Sequence, residues 1–91
     1  MSKMRVRIIY SGTVHGVGFR FTAERIAISL GLTGWVQNCL DGTVEVLCEG
    51  KEPDIKMLVD RINKAMSAYI RSSKITWKDA TGEFSSFGIK F

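Results

Sequence analysis

Apolar and polar residues alternate at the start of the chain. Met4, Val6, Ile8 and Tyr10 fall on one side, and Arg5, Arg7, Ile9 and Ser11 on the other. A period of two predicts a β-strand with one buried face. The period changes after residue 18. Phe19, Ala23, Ile26, Ala27 and Leu30 recur at helical spacing and form one apolar stripe. Gly31 stands where a helix commonly ends on a left-handed residue, and Leu32 after it can supply the accompanying hydrophobic contact.

Next come "LTGWVQN" and "TVEVLCE", two strands joined through Asp41-Gly42, a strong hairpin signal. Val44, Val46 and Cys48 alternate with Glu45, Leu47 and Glu49, which predicts one core face and one largely solvated face. The face that Asn38 shares with Val44 depends on the turn length, which the pattern leaves open. Gly50 is expected to end the strand, and Pro53 suits the first turn of a helix. Ile55, Leu58, Val59, Ile62 and Met66 make a second helical stripe. "AYIRSSKITWKD" reads as a less regular strand with Ile75 and Trp77 in phase, and "SSFGIKF" closes the chain with Phe87, Ile89 and Phe91 alternating. The order β-α-β-β-α-β predicts an α+β, ferredoxin-like split βαβ fold. Its expected form is a four-stranded antiparallel sheet with two helices on one face.

Length adds that the 91 residues form a single domain, spanning 1–91. No apolar run approaches a membrane span. The N-terminal "MSKMRVRIIY" alternates where a signal peptide would carry an apolar block, so a cytoplasmic protein with no membrane partner is expected. The net charge of +4 suits an anionic ligand, but the basic residues are dispersed. Cys39 and Cys48 bracket the hairpin. Four residues of strand put them ~13 Å apart, beyond the ~7 Å reach of a disulfide, so both are expected to be free thiols. With one histidine and no C-x-x-C, no metal site is expected.

The chemistry concentrates in "GTVHGVGFR", residues 12–20, between the first strand and the first helix. Glycines there let backbone amides turn toward a ligand, and a helix N-terminus adds partial positive charge. The guanidinium fork of Arg20 can close over a phosphate from the other side. The run is not a Walker A loop, since it lacks Gly-Lys. It is not a dinucleotide fingerprint either, because Phe21 stands where the third glycine belongs. Gly16 follows His15 where a cysteine phosphatase would place its thiolate, so the loop offers no covalent nucleophile.

"GTVHGVGFR" followed by "GLTGWVQNCLDGTVEVLCEG" resembles the acylphosphatases. Their pattern is a G-x-V-Q-G-V-x-F-R loop, then G-x-V-x-N-x-x-x-G-x-V-E and a closing glycine. The likeness is close over residues 4–50 and rests on topology and apolar spacing beyond. It implies the ferredoxin-like fold already reached from the pattern. It also implies hydrolysis of acyl phosphates to a carboxylate and inorganic phosphate, with no cofactor, no metal and no covalent intermediate. By the same resemblance Arg20 matches the phosphate-binding arginine. Val14, His15, Gly16, Val17, Gly18 and Phe19 match the loop whose amides cradle phosphate, and Asn38 matches the asparagine that positions the attacking water. The implied partners are a small acyl phosphate and inorganic phosphate, the implied state a monomer.

Two residues depart from the family pattern. His15 stands where Gln is usual, and the Gly-Pro step often found after the second helix is missing from "NKAMSAYI". Histidine invites a general-base reading. The favoured reading is an imidazole that replaces an amide of similar reach and hydrogen-bonds locally. Cys39 is read as a small filler, and Trp35, Trp77 and the phenylalanines as core or sheet-face packing. An RNA-binding module of the same fold would need aromatics on the third strand, where "TVEVLCE" has none and two acids, so no nucleic-acid partner is expected. Two rival functions share the loop and the fold: a module handling carbamoyl phosphate within a larger assembly, and a non-catalytic family member that only binds. Intact Arg20 and Asn38 weigh against the second.

Overall fold

The computed structural model describes residues 2–91. The alternating N-terminal run forms β1 (Lys3–Gly12), and the first apolar stripe forms α1 (Phe19–Ser29). β2 (Thr33–Asn38) and β3 (Val44–Lys51) make the hairpin, followed by α2 (Glu52–Ala65), β4 (Ile70–Asp79) and β5 (Phe87–Lys90). Sheet order is β4-β1-β3-β2-β5. Val6, Ile8 and Tyr10 face Cys48, Val46 and Val44 across the β1–β3 ladder, and Val36 faces Val46 across β2–β3. Directly opposed residues share a face, so these side chains form one apolar surface. The stripes of α1 and α2 cover it, with Phe19, Ala23 and Ile26 from α1 and Ile55, Leu58 and Ile62 from α2 buried there.

Both helices end and begin as the chain pattern predicts. Gly31 adopts φ 69°, its N–H donates to the Ile28 carbonyl, and the Leu32 N–H donates to Ala27. That pair of bonds is a Schellman motif, and it satisfies two of the carbonyls a helix end leaves open. Pro53 lies in the first turn of α2, where its missing N–H costs nothing.

The sheet departs from the expected four antiparallel strands. It has five, because residues 87–90 pair in parallel with β2, Gly34 opposite Phe87 and Val36 opposite Ile89. Phe87 is thereby buried, whereas Phe91 lies past the strand and is exposed, contrary to a strictly alternating end. Small boundary shifts accompany this: β3 runs one residue beyond Gly50, and β4 begins at Ile70. Because β4 is an edge strand, Trp77 remains 37% exposed. Of the phenylalanines read as packing residues, Phe19 and Phe87 are in the core, while Phe21 and Phe91 are not.

The face opposite the helices is also less open than its charges suggest. Glu45 and Glu49 are both buried. Glu45 pairs with Arg7 and accepts from Gln37 Nε2. Glu49 accepts from Arg5 Nε at 2.7 Å, from the Thr81 and Gly82 amides at 2.9 Å each, and from the Thr81 hydroxyl at 3.1 Å. Arg5 reaches on to Glu83 and stacks over Phe84 at 5.1 Å. The β4–β5 connection is therefore tied to β1 and β3 through one carboxylate. Burial by itself would raise the Glu49 pKa; the two amides, Arg5 and the Thr81 hydroxyl outweigh it and hold it at about 2, against an ordinary 4.5.

A carboxyl depressed on folding adds stability above its unfolded pKa and loses it as pH falls toward the folded value. Between about pH 5 and pH 2 this group should therefore withdraw at most about 3 kcal/mol. Thermal melts across that range should show the loss in the parent, and Glu49→Gln should flatten it while lowering stability at neutral pH.

The Tyr10 hydroxyl is the opposite case. It is buried without a hydrogen-bond partner, and burial pushes its pKa up. An unsatisfied buried donor costs roughly 1–3 kcal/mol. Tyr10→Phe keeps the ring that packs on Phe19 at 4.9 Å, so chemical denaturation should show stability unchanged or raised by about 1 kcal/mol.

Candidate active site

The segment between β1 and α1 is pinned at both ends. Val14 and Phe19 are buried, and the Thr13 N–H donates to the Tyr69 carbonyl at 2.9 Å. Between those anchors Gly16 and Gly18 adopt φ 73° and 77°. A Cβ at either position would meet nothing within 4 Å. The glycines are therefore needed for their left-handed backbone, not for room. Among the described residues no non-glycine has positive φ, so the sign of φ alternates through residues 15–19. Such alternation turns successive N–H groups to one side as an anion nest.

The nest runs directly into a helix start. Gly18 is the N-cap of α1, no side chain caps the helix, and no acidic residue lies in its first turn. The first intrahelical bond comes from the Thr22 N–H to the Gly18 carbonyl, 3.0 Å. The amides of Phe19, Arg20 and Phe21 thus have no helical partner and carry the positive end of the helix dipole.

Asn38 ends β2 opposite Val44. This pairing settles what the chain pattern left open: Asn38 shares the helix-covered face with Val44 and Val36. The turn responsible is a three-residue loop, with the Cys39 N–H donating to the Thr43 carbonyl and the Gly42 N–H donating to Cys39. Asp41 Oδ1 accepts from both the Thr43 amide and its hydroxyl, which fixes the tip.

Loop and strand end meet in a cleft of about 180 Å³. Val14, Gly16, Gly18 and Phe19 form its loop side, Arg20 and Phe21 the helix side, and Asn38 the sheet side. Asn38 Oδ1 is buried there without a hydrogen-bond partner. Arg20 has no carboxylate partner among the described residues. Its guanidinium lies 5.2 Å from the Phe91 ring centroid, a contact that limits its rotamers while leaving its N–H donors free. The cleft therefore combines inward amides, an uncompensated cation and an open acceptor, a set able to hold a tetrahedral oxyanion beside a water.

Two of the loop residues, whose expected contribution is the backbone amide, turn their side chains away from the cleft. Val17 packs partly against the core. His15 Nε2 lies 2.8 Å from the Thr43 carbonyl. A carbonyl only accepts, so Nε2 carries the proton, and the imidazole ties the loop to the hairpin end. This is the amide-like bond expected of it. His15→Gln can make the same donation, and hydrolysis rates should stay within about twofold across pH 5–8. A fall of about a hundredfold, the low end of what a general base supplies, would assign the imidazole a chemical role.

Phe21 is the cleft residue that sequence reasoning missed. It is 64% exposed at the cleft rim. The signal for it was an aromatic lying off the apolar stripe of α1, next to Arg20.

The fold is α+β and ferredoxin-like, with a cleft lined by the glycine loop at its first β–α turn. Comparison with known proteins narrows this. The acylphosphatase family model matches residues 6–89. An acylphosphatase of Pelotomaculum thermopropionicum is 40% identical, over the whole of both chains. The crystal structure of acylphosphatase from Bacillus subtilis superposes with a TM-score of 0.89 at 30% identity, covering 97% of this chain and 99% of that one. T. kodakarensis HypF also matches, with a TM-score of 0.83 and 30% identity, over 96% of this chain and 12% of that longer one. The chain belongs to the acylphosphatase family.

Proposed function

We propose that the chain hydrolyses acyl phosphates to a carboxylate and inorganic phosphate, with the cleft as its active site. The observation that carries this reading is the unpartnered, buried Asn38 Oδ1 beside Arg20 and the loop amides. The amides of residues 14–19 and the Arg20 fork bind the phosphoryl oxygens and meet the charge redistributed during transfer. Asn38 Oδ1 accepts one O–H of a water, so that a lone pair of its oxygen is directed at phosphorus.

No strong acid or base is required. The leaving carboxylate departs unprotonated, because its conjugate acid has a pKa of ~4. In a loose transition state the water has formed little of its new bond and carries little positive charge, and a phosphate oxygen takes its proton. The nest, the helix N-terminus and Arg20 supply the positive charge that a metal would otherwise bring. Substrate and product bind as small molecules to a cytoplasmic monomer whose 91 residues act as one unit.

The test is hydrolysis of benzoyl phosphate with EDTA present. Turnover should be unaffected by EDTA and inhibited competitively by inorganic phosphate, and p-nitrophenyl phosphate should not be hydrolysed, because its poorer leaving group needs an acid. Metal-dependent turnover or comparable monoester activity would refute the mechanism. Noncompetitive inhibition by phosphate would place the anion site elsewhere.

A further inference from the structure

The sheet face turned away from the helices carries a second cavity, about 280 Å³ in volume and larger than the cleft at the glycine loop. Register explains its make-up. Leu47 on β3 lies opposite both Trp35 on β2 and Arg7 on β1, and Arg7 lies opposite Thr76 on β4. These four side chains form one row on one face, with Lys78 and Arg5 in the row beside it and Glu45 in the row on the other side. Gly88 on β5 lies opposite Trp35 and contributes no side chain, and Lys90 two residues on reaches back over the indole.

The charges around the cavity are unequal. Glu45 is held by Arg7 and Gln37, and Arg5 is held by Glu49 and Glu83. Lys78 has no carboxylate partner among the described residues, and neither has Lys90, whose ammonium sits 4.7 Å from the Trp35 ring centroid. An indole wall and a leucine floor therefore meet a rim with surplus positive charge.

We propose that this cavity binds a small planar anion. A flat ring stacks against the Trp35 indole and Leu47, and its phosphate or carboxylate is held by Lys78 with Arg7. The volume lies just below the range of small-ligand pockets, roughly 300–1,000 Å³, which limits the ligand to a mononucleotide or smaller. The site is separate from the catalytic cleft. Asn38 and Val36 face the helices, whereas Trp35 and Leu47, one position out of phase, project from the opposite face.

The experiment uses Trp77→Phe protein, which leaves Trp35 as the only tryptophan. Adenosine 5′-monophosphate and benzoate are titrated separately, to distinguish a ring carrying phosphate from one carrying carboxylate, with ribose 5-phosphate as the ring-free control. At least one aromatic anion should quench Trp35 saturably, and saturating inorganic phosphate should leave that response in place. Lys78→Glu, on an exposed edge strand, should weaken binding by at least about tenfold through like-charge repulsion. The same substitution should leave benzoyl phosphate hydrolysis unchanged. Arg7 is unsuited to the test, since its removal strands the buried Glu45. The proposal is overturned if neither probe gives a saturable response. It is equally overturned if ribose 5-phosphate binds as well as either aromatic probe, or if inorganic phosphate or Arg20→Ala abolishes the response.

Discussion

Arg20→Ala is expected to lose phosphate affinity and turnover together. Among the described residues the guanidinium is the one side-chain cation lining the cleft, and it has no carboxylate to neutralise it. In the proposed mechanism its N–H donors bind the phosphoryl oxygens in the ground state and more strongly as charge redistributes. A transition-state arginine is worth on the order of 10³–10⁵ in rate where it has been removed from other phosphoryl-transfer sites, so kcat should fall by at least ~10³. Arg20→Lys should recover little, because a point charge cannot reproduce a planar fork. The fold should survive either change, since the side chain is partly exposed and stacks only on the exposed Phe91 ring. Phosphate titration followed by the amide signals of Gly16 and Gly18, with a thermal melt as control, checks each part. Retained phosphate affinity in Arg20→Ala would show that the backbone nest alone is the binding site.

Asn38→Ala should separate binding from chemistry. Its Oδ1 faces the cleft with no protein partner, so its removal breaks no internal hydrogen bond of that oxygen. An alanine there even removes a desolvated, unsatisfied acceptor, which limits any loss of stability. Phosphate should still perturb Gly16 and Gly18 at near-parental concentrations. Turnover should fall by ~10²-fold or more, the cost of a misplaced reactant. If phosphate binding disappears as completely as in Arg20→Ala, the asparagine belongs to the cradle and the water is positioned by something else.

Arg20 could be singled out before the fold was known because its motif is local, whereas Asn38 came only from the resemblance of the second motif to the acylphosphatases. The nest depends on glycines two apart, and the cation follows two residues later in the first turn of a helix. Periodicity likewise located β1, α1, the hairpin and α2, each of which buries one continuous stripe.

What stayed hidden depends on contacts between distant segments. The alternation of residues 87–91 was legible, but β5 has four residues and pairs in parallel with a strand more than fifty positions earlier, so no turn marks it as a fifth strand of the sheet. Glu45 and Glu49 alternate as solvent-facing residues should, and nothing near them in sequence announces Arg5, Arg7 or the Thr81–Gly82 amides that close over them. The face of Asn38 turned on one residue of loop length, which Asp41-Gly42 alone does not specify. Phe21 was passed over because an aromatic next to an apolar stripe looks like its continuation.

The strand order also governs when activity can arise as the chain folds. β1 delivers the glycine loop and β2 delivers Asn38, yet the two strands never touch; β3 lies between them. Apart from the β2–β3 hairpin, every ladder joins segments far apart in sequence: Lys3 meets Lys51, Met4 meets Asp79, and Gly34 meets Phe87. Such non-local pairing slows folding, because the entropy of closing long loops is lost before the contacts form. α1 can form early from local contacts, but its open amides face no asparagine until β3 has inserted beside β1. With the loop and Asn38 acting as proposed, the recovery of hydrolysis during refolding marks the arrival of native topology, which helix content does not.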